Sequence, residues 1–462
     1  MTLRPSHRSM TVFRGPGASW ALILLILLVS FVLPAGLFGD GRAGASQEEG
    51  EAGWALPGRW GGYLKLKGTW SQSPAGSLYD VLGGGSLLDG EGSFRLKSDL
   101  VPGEGLRLET HYEIVLLGGD RWRKIASLKK KYPFLPDLKE WGIGGTVEDD
   151  RRLFDFTSTL EDRDDYGLYH RLDRFVLTLS RPWGTFRAGR QAVTWGNGFL
   201  FNPLDLVNPF APSDIEREYK IGDDLVSFQH RFGGGGDGWI IVVPRRNPGT
   251  GSLRWDQSAL AGKIHVARGT TEIDFLLAKN GEDRVFGMGS SGYIGQAAWR
   301  LDGTWTVPEG EDPGGGYLSV VANMDYSWVF LDRNFYGFLE AFWNGLGTTD
   351  EYDEVLEDGR VRERLARGDL FTLGKTYVAG HVQVELHPLW NFYLTAINNV
   401  EDPSGLLQPR LVWDASSSLR FTLGGTLPWG GTGSEYGGFP ILNGLLTYGP
   451  EAQVFFWGAY YF

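Results

Sequence analysis

About 18 short segments of the sequence alternate apolar and polar residues, which is the period of a β-strand with one apolar face. The segment 63–67 reads Tyr-Leu-Lys-Leu-Lys, and 419–423 reads Leu-Arg-Phe-Thr-Leu. After Leu33 the chain has no long apolar run, so a membrane protein built from it must cross the bilayer with strands. We predict strands at 60–70, 91–101, 104–116, 169–181, 183–193, 224–233, 236–245, 257–268, 270–279, 283–292, 295–307, 315–331, 333–344, 371–386, 388–400, 405–414, 417–428 and 452–462.

Every second link between these segments is short, and the links between those are mostly long, with 280–282 and 401–404 as exceptions. Short links such as 182 and 293–294 alternate with long ones such as 117–168 and 194–223. Short turns on one rim and long loops on the other are typical of an outer-membrane barrel. The pattern therefore predicts an all-β fold, a transmembrane antiparallel β-barrel over 60–462 with about 18 strands, or 16 as the alternative. Both termini then lie on the short-turn rim, which we expect to be periplasmic.

The last strand has an apolar or aromatic residue at Val454, Phe456, Tyr460 and Phe462. An open strand edge of this kind invites aggregation, whereas pairing with the first strand of a closed barrel removes the edge. The segment also resembles the C-terminal strand by which the barrel-assembly machinery recognises Gram-negative outer-membrane proteins. This resemblance implies that Phe462 and Tyr460 form an assembly signal.

The N-terminus has the order of a secretory signal peptide. A basic leader precedes an apolar run at 20–33, and small residues follow at 43–45. We predict a signal peptide at 1–45, with an uncleaved anchor as the alternative. The next segment, 46–59, is expected to be a short periplasmic extension and is too short for a plug domain.

Composition narrows the functional classes. The absence of cysteine excludes disulfides and thiolate chemistry, and the net charge of −12 argues against a nucleic-acid partner. The histidines are scattered and no hydrolase, metalloprotease or nucleotide-binding motif occurs, so we expect no enzyme activity, no cofactor and no metal site. A soluble β-sandwich or propeller is the alternative fold that alternation alone leaves open.

Strand parity predicts which charged side chains face the lumen. The basic ones are Lys65, Lys67, Arg95, Lys97, Arg107, Arg174, Arg187, Arg231, Lys263 and Arg420. The acidic ones are Glu109, Glu113, Glu272, Asp274, Asp302, Asp325, Glu340 and Glu385. Most basic positions fall on the early strands and most acidic positions on later ones, which predicts a transverse field across a pore. The alternative is that these charges pair with neighbours in a wide lumen.

The link after the fifth strand is unusually apolar. It contains two Asn-Pro steps, at 202–203 and 208–209, which end the strand ladder. Because so apolar a loop is unlikely to extend into water, we expect it to fold back into the lumen and narrow it. The alternatives are packing on the outer rim or at a subunit interface. The constriction residues predicted from this pattern are Phe201, Asn208 and Phe210, and Ser213–Glu216 is read as a capping box for a short helix.

Arg190 has the parity of a lipid-facing residue, unlike Arg187 and Gln191. A charge facing lipid near the bilayer midplane costs a few kcal/mol. We therefore predict that Gly189 marks a bulge that turns Arg190 inward and stacks it with Arg187 below the constriction. A position at the rim is the alternative.

A motif runs through this region as Gly189-Arg190-Gln191, then Trp195-Gly196-Asn197-Gly198, then Asn202-Pro203-Leu204-Asp205. It resembles a signature of bacterial outer-membrane channels that include the alginate-export-like porins. The resemblance implies an 18-stranded pore that passes solutes or exports an anionic polysaccharide. It also implies that Arg187, Arg190 and Gln191 line the pore. By the same resemblance, Trp195, Asn197 and Asp205 shape the constriction loop and join the predicted constriction residues.

These observations predict an outer-membrane, porin-like channel of a Gram-negative cell for passive diffusion of small hydrophilic solutes, anionic ones included. Its expected partners are outer-membrane lipid and lipopolysaccharide, the assembly machinery and the solute. The alternatives are an export pore for an anionic polysaccharide and a structural or docking barrel for a secreted partner. A short amphipathic helix is also expected at 122–132, in the longest outer loop.

Overall fold

The computed structural model describes residues 58–132, 149–215, 219–310, 315–349 and 352–462. The predicted signal peptide at 1–45 lies outside these residues, as does the segment 46–59 except for its last two residues. Glu216 of the predicted capping box also lies outside them.

Antiparallel strands make up most of the described chain. They are β1 (Gly58–Gln72), β2 (Ser86–Gly103), β3 (Leu106–Gly119), β4 (Thr157–Asp162), β5 (Tyr166–Arg181), β6 (Gly184–Gln191), β7 (Asp223–Arg231), β8 (Asp237–Arg246), β9 (Leu253–Arg268), β10 (Thr271–Asn280), β11 (Asp283–Ile294), β12 (Ala297–Val307), β13 (Tyr317–Phe330), β14 (Arg333–Asn344), β15 (Thr376–His387), β16 (Trp390–Asn399), β17 (Ser404–Asp414), β18 (Leu419–Trp429), β19 (Phe439–Ile441), β20 (Leu446–Tyr448) and β21 (Ala452–Tyr461). Within the described residues, four helices lie in the links: α1 (Leu78–Val81), α2 (Asp120–Lys131), α3 (Tyr352–Glu357) and α4 (Gly359–Arg367).

The barrel is one closed sheet of 18 strands. Strand β4 and the small hairpin β19–β20 are not counted among these 18. Each barrel strand pairs with its neighbours in sequence, and β21 pairs with β1 from Tyr63↔Tyr461 to Gln72↔Ala452. The predicted barrel and the count of 18 are confirmed. The count of 16 is wrong, and so is the soluble sandwich or propeller, because neither of those folds is one sheet closed on itself.

The two rims differ as the link lengths predict. Leu331 and Asp332 form a two-residue turn between β13 and β14 with φ of 51° and 57°, the left-handed geometry that suits the twist of a tight hairpin. The start of β1 and the end of β21 lie on this short-turn rim. Helix α2 on the opposite rim confirms the helix predicted at 122–132.

None of the helices in the described part of the chain is both long and apolar enough to cross a bilayer.

The outer face of the barrel carries exposed apolar side chains between two rows of aromatic ones. Leu66 and Leu277 are each 62% exposed and belong to the middle band, with Leu64, Phe275, Met288, Leu339 and Leu423. Trp60, Trp183 and Tyr293 lie near the short-turn rim, whereas Trp70, Trp255, Trp343 and Trp429 lie near the long-loop rim. An apolar band between two aromatic girdles is the surface of a barrel that is solvated by lipid.

Candidate functional site in the barrel lumen

The link 192–222 joins β6 to β7, and we call it the crossing loop. Its described residues, 192–215 and 219–222, lie against the inner wall of the barrel. Its first half packs Val193, Trp195, Leu204 and Val207 against one side of the barrel. The wall residues in this cluster are Leu225, Ile241, Val243, Ala259, Ala261 and Leu276, on β7 to β10. Burial against these positions accounts for the apolar composition of the loop.

Aromatic stacking fixes the middle of the crossing loop to the far wall. The Phe201 ring stacks on Phe342 at 4.6 Å between centroids and on Tyr377 at 5.3 Å. The Phe199 ring stacks on Phe338 at 4.4 Å. These partners belong to β14 and β15, so the loop leaves the wall at β6 and reaches strands across the lumen.

Two carboxylates predicted to line the pore instead bind the backbone of the crossing loop. Glu340 accepts hydrogen bonds from the backbone N–H groups of Phe199 (2.6 Å), Leu200 (2.9 Å) and Phe201 (2.8 Å). Asp302 accepts from the backbone N–H and the side-chain amide of Asn197, the latter at 2.9 Å. A loop without a strand ladder has unpaired N–H groups, and these carboxylates satisfy them.

The second half of the loop returns along other strands. Gln408 on β17 donates to the Ser213 carbonyl at 2.8 Å. Further on, the Tyr219 ring stacks on Tyr63 of β1 at 6.2 Å, and Lys97 of β2 donates to the Tyr219 hydroxyl at 2.6 Å. The described residues of the crossing loop therefore contact β7–β10, β12–β15, β17 and β1–β2, and the loop spans the lumen.

A buried ion pair ties the crossing loop to itself. The Lys220 ammonium lies 2.6 Å from both oxygens of Asp205 and 2.6 Å from the Val193 carbonyl. Burial raises the pKa of the Asp205 carboxyl and lowers that of the Lys220 ammonium, while their mutual attraction opposes both shifts. The pair connects the beginning, middle and end of the loop and so limits its freedom to unfold into the pore.

The remaining predicted constriction residues have different roles. Asn208 adopts a φ of 48°, which asparagine tolerates better than most residues. Phe210 is half-buried beside a small cavity between the crossing loop and α4. Gln191 is buried and donates to the Leu225 carbonyl at 3.2 Å, so it closes the end of β6.

Arg190 is enclosed in the barrel wall, and the bulge predicted at Gly189 is absent. The register of β6 runs without a shift against both β5 and β7. The Arg190 side chain is 1% exposed and lies 2.6 Å from Asp149 and 2.9 Å from Asp224. The prediction that Arg190 turns inward to stack with Arg187 is therefore wrong, because the charge keeps its parity and is neutralised by carboxylates.

The carboxylates reach Arg190 because part of the wall is built from a loop. Strands β6 and β7 are short, and β4 pairs with β5 from Thr157↔Arg171 to Asp162↔Gly167, where β6 would otherwise continue. On the other side, Arg152 forms an isolated bridge with Arg245 of β8. We call residues 149–162 the wall panel. It covers the face of Arg190 that would otherwise meet lipid.

Most of the other predicted lumen charges are paired with opposite charges. The shortest contacts, in order, join Arg107 to Asp99 (2.6 Å), Glu113 to Arg171 (2.6 Å), Arg420 to Asp414 (2.6 Å), Arg174 to Asp173 (3.1 Å) and Lys263 to Asp274 (3.2 Å). Arg95 is buried between Asp173 and Glu113, and Asp325 pairs with Arg300. This local pairing favours the alternative of neighbouring ion pairs over a strong transverse field.

The remaining members of the predicted lining lie apart from one another. Lys65 lies over the Trp457 ring at 4.2 Å, and Lys67 lies over the Phe455 ring at 5.4 Å. Other polar positions are spread along the strands: Glu272 accepts from Ser291, Glu385 accepts from Asn334, and Arg231 is exposed at the end of β7. Within the described residues the Arg187 Nε is buried without a hydrogen-bond partner.

Four residues that contact the crossing loop or the paired lumen charges were not among the predicted lining residues. Arg300 has the same parity as Asp302, and its guanidinium lies 4.7 Å from the Phe199 ring, so strand alternation alone could have identified it. Asp173 lies at a register shift in β5 that the sequence does not mark. Tyr219 and Lys220 follow the proline-rich part of the loop, where no periodic pattern indicates their partners.

The predicted assembly residues lie where β21 closes the barrel. The Phe462 carbonyl accepts from the Gly62 N–H at 2.9 Å, and the Phe462 ring stacks on Phe94 at 6.1 Å. Tyr460 points outward and is 51% exposed.

Comparison with solved structures identifies the same kind of barrel. OccAB3 of Acinetobacter baumannii aligns with 87% of this chain and 99% of its own at 8% identity, with a TM-score of 0.50. OccK5 (OpdH) of Pseudomonas aeruginosa covers 87% of this chain and 97% of its own at 8% identity and a TM-score of 0.48. No family model and no curated protein matches the chain. At this identity the likeness to OccAB3 shows the fold alone, and the alginate-export-like family stays an expectation.

Proposed function

We propose that this protein is an outer-membrane, porin-like channel through which small hydrophilic solutes diffuse passively. The crossing loop is the element that narrows the lumen. The observation that carries the proposal is the pair of opposite faces: an apolar, aromatic-bordered outer face and a lumen lined by charged and polar groups. Such a barrel belongs in the outer membrane, with the short-turn rim and both termini in the periplasm.

The pairing of lumen charges decides between small solutes and an anionic polysaccharide as the transported compound. Arg95, Arg107 and Arg174 each contact a carboxylate. A pore that exports an anionic polysaccharide would need a row of arginines free to bind it, so diffusion of small solutes is the better supported function. Phe462 and Tyr460 are proposed as the signal that the assembly machinery reads.

Single-channel recording in planar bilayers tests the proposal, with Glu340→Gln as the key variant. The amide keeps the shape of the side chain but removes the charge that binds three backbone N–H groups of the crossing loop. We expect steady conductance from the unmodified barrel. In the variant we expect higher conductance or added open-channel noise, because the loop loses its anchor on β14.

Glu272→Gln is the matched control, since Glu272 contacts Ser291 and not the crossing loop. It should show no added open-channel noise, because the crossing loop keeps its anchor on β14. If Glu340→Gln matched this control, the loop would not be the constriction. If the folded barrel conducted nothing at all, the channel proposal would be wrong and a docking barrel would be favoured.

A further inference from the structure

Tyr377 of β15 contacts both the crossing loop and a loop of the long-loop rim. Its side chain is buried, and its ring stacks on Phe201 of the crossing loop at 5.3 Å between centroids. The same ring meets Tyr436 edge to face at 6.5 Å. Tyr436 belongs to the link 430–451 between β18 and β21, which we call the outer loop. One buried aromatic cluster therefore includes residues of the constriction and of the outer loop.

The Tyr377 hydroxyl is also bound by the outer loop. It donates to the Glu435 carboxylate at 2.6 Å and accepts from the Gly374 N–H at 2.5 Å. Glu435 in turn accepts from the Leu373 N–H at 2.7 Å. Because the hydroxyl uses both its donor and its acceptor capacity, the side chain is held in one arrangement. The place of the Tyr377 ring beside the crossing loop therefore depends on the outer loop.

The outer loop shares an apolar core with the link that carries α3 and α4. The Phe439 ring of β19 lies 5.3 Å from the Tyr352 ring of α3. Val361 of α4 and Leu373 belong to the same buried cluster. Both links lie on the long-loop rim, so a displacement of either changes the surroundings of Glu435.

Phe201 is held by three different groups. Its ring stacks on Phe342 of β14 at 4.6 Å, and Glu340 of the same strand accepts from its N–H at 2.8 Å. These two partners belong to the barrel wall. Tyr377 is the partner that also binds the outer loop, so it is the route by which that loop can act on the constriction.

Glu435 makes the packing of the outer loop depend on pH. Burial raises the pKa of the Glu435 carboxyl, although its hydrogen bonds oppose the shift. The titratable groups around it are Asp402 on the β16–β17 link, Tyr352 on α3, Tyr377 on β15, and Tyr436 and Tyr448 in the outer loop. Burial raises the pKa of Tyr352, Tyr436 and Tyr448 above the ordinary tyrosine value, so these three stay neutral at neutral and acidic pH.

We infer that Tyr377 is a positioning residue that couples the outer loop to the constriction. When the outer loop is tightly packed, Tyr377 holds Phe201 against β14; when the outer loop loosens, the crossing loop gains freedom and the pore current fluctuates. This inference rests on the proposed channel function and describes its regulation from the long-loop rim.

Single-channel recording over a pH series tests the coupling. A group whose pKa is raised by folding stabilises the fold below its ordinary pKa and loses that effect as the pH rises through the raised value. Open-channel noise of the unmodified barrel should therefore rise as the pH is increased from below about 4.3, the ordinary glutamate pKa. Glu435→Gln should remove this rise, because the amide does not titrate.

Tyr377→Phe separates coupling from simple damage to the fold. The variant keeps the ring on Phe201 but loses the bond to Glu435, so the rise in noise should weaken at least several-fold. Hydrogen exchange of 430–451 should keep its pH trend, since Glu435 still titrates, and the trend should move to higher pH because the hydroxyl no longer stabilises the carboxylate. Tyr169→Phe is the matched control, a buried tyrosine of β5 whose loss of hydroxyl should leave the noise profile unchanged.

A flat noise profile in the unmodified barrel would overturn the coupling and leave the channel standing, as would full pH dependence in Tyr377→Phe. If the barrel never conducts, the channel proposal is wrong and the coupling is read from hydrogen exchange of 197–205 in the crossing loop. Exchange there should follow the pH trend of 430–451 in the unmodified barrel and lose that trend in Tyr377→Phe. Exchange of 197–205 that ignores the pH in both would overturn the coupling as well.

Discussion

Replacing Arg190 with alanine should destabilise the barrel more than replacing Arg187, the other arginine of β6. The guanidinium donates to both oxygens of Asp224 at 2.9 Å, to Asp149 at 2.6 Å, and to the carbonyls of Leu172 and Phe154 at 3.2 and 2.7 Å. The side chains of Asp149 and Asp224 are at most 1% exposed. Removing one partner of a buried ion pair costs about 3–5 kcal/mol, because the remaining charge is left without compensation.

Two features adjust this magnitude. Asp149 keeps a second partner in Arg152, which reduces the penalty, whereas Arg190 serves two carboxylates at once, which increases it. We therefore expect a loss of about 4 kcal/mol in the free energy of unfolding. Urea unfolding of the barrel in detergent micelles, followed by tryptophan fluorescence, measures it. The wall panel should also become more accessible to protease, because Arg190 binds Asp149 and Phe154 within it.

Arg187→Ala is the matched control, three residues earlier in the same strand. Its Nε has no hydrogen-bond partner within the described residues, so its loss should destabilise the barrel much less than the loss of Arg190 does. A second variant combines Arg190→Met with Asp224→Asn and should recover part of the loss, since Asp224 then carries no buried charge while Asp149 keeps Arg152 as its partner. Equal stability of Arg190→Ala and Arg187→Ala would refute the reasoning.

Two further predictions concern ion preference and the outer loops. Arg187→Ala should shift the reversal potential in a KCl gradient towards cation preference, because it removes a positive charge from the lumen; an unchanged potential would mean that Arg187 does not reach the conduction path. Burial, helped by the neighbouring Asp402, raises the pKa of Glu435, whose carboxylate accepts from Tyr377 (2.6 Å), Asn399 (2.9 Å) and the Leu373 N–H (2.7 Å). Since the folded loop binds this proton more tightly than the unfolded loop does, packing of 430–451 should weaken as the pH rises from the ordinary glutamate pKa through the raised one. Hydrogen exchange of 430–451 should show this trend, and Glu435→Gln should abolish it; a trend that survives the substitution would assign it to another group.

Several details of the lumen were not predictable from the sequence. The carboxylate of Glu340 binds backbone groups about 140 positions away along the chain, and Asp302 binds a residue 105 positions away. Alternation correctly places both carboxylates inward but contains no information about which loop reaches them. A bound carboxylate and a solute-facing one have the same parity, so only the folded arrangement distinguishes them.

Arg190 also shows that alternation predicts the direction of a side chain but not its partners. Alternation correctly assigned Arg190 to the lipid-facing side of β6. Because a charge there is costly, we predicted a bulge that would turn it inward, and that prediction was wrong. Instead, the wall panel covers Arg190. It can lie there because β6 and β7 are shorter than the strands on either side of them. The register shift that brings Arg171 and Asp173 to their ion pairs is likewise produced by the pairing of β5 with β3.

The strands, their faces and the two rims were determined by the sequence alone, because side-chain alternation and link length are local properties of an antiparallel barrel. Tertiary structure decided which charges neutralise one another, where the crossing loop is anchored and how the wall panel encloses Arg190. These features depend on contacts between segments far apart in the chain, and such contacts exist only once the barrel has closed.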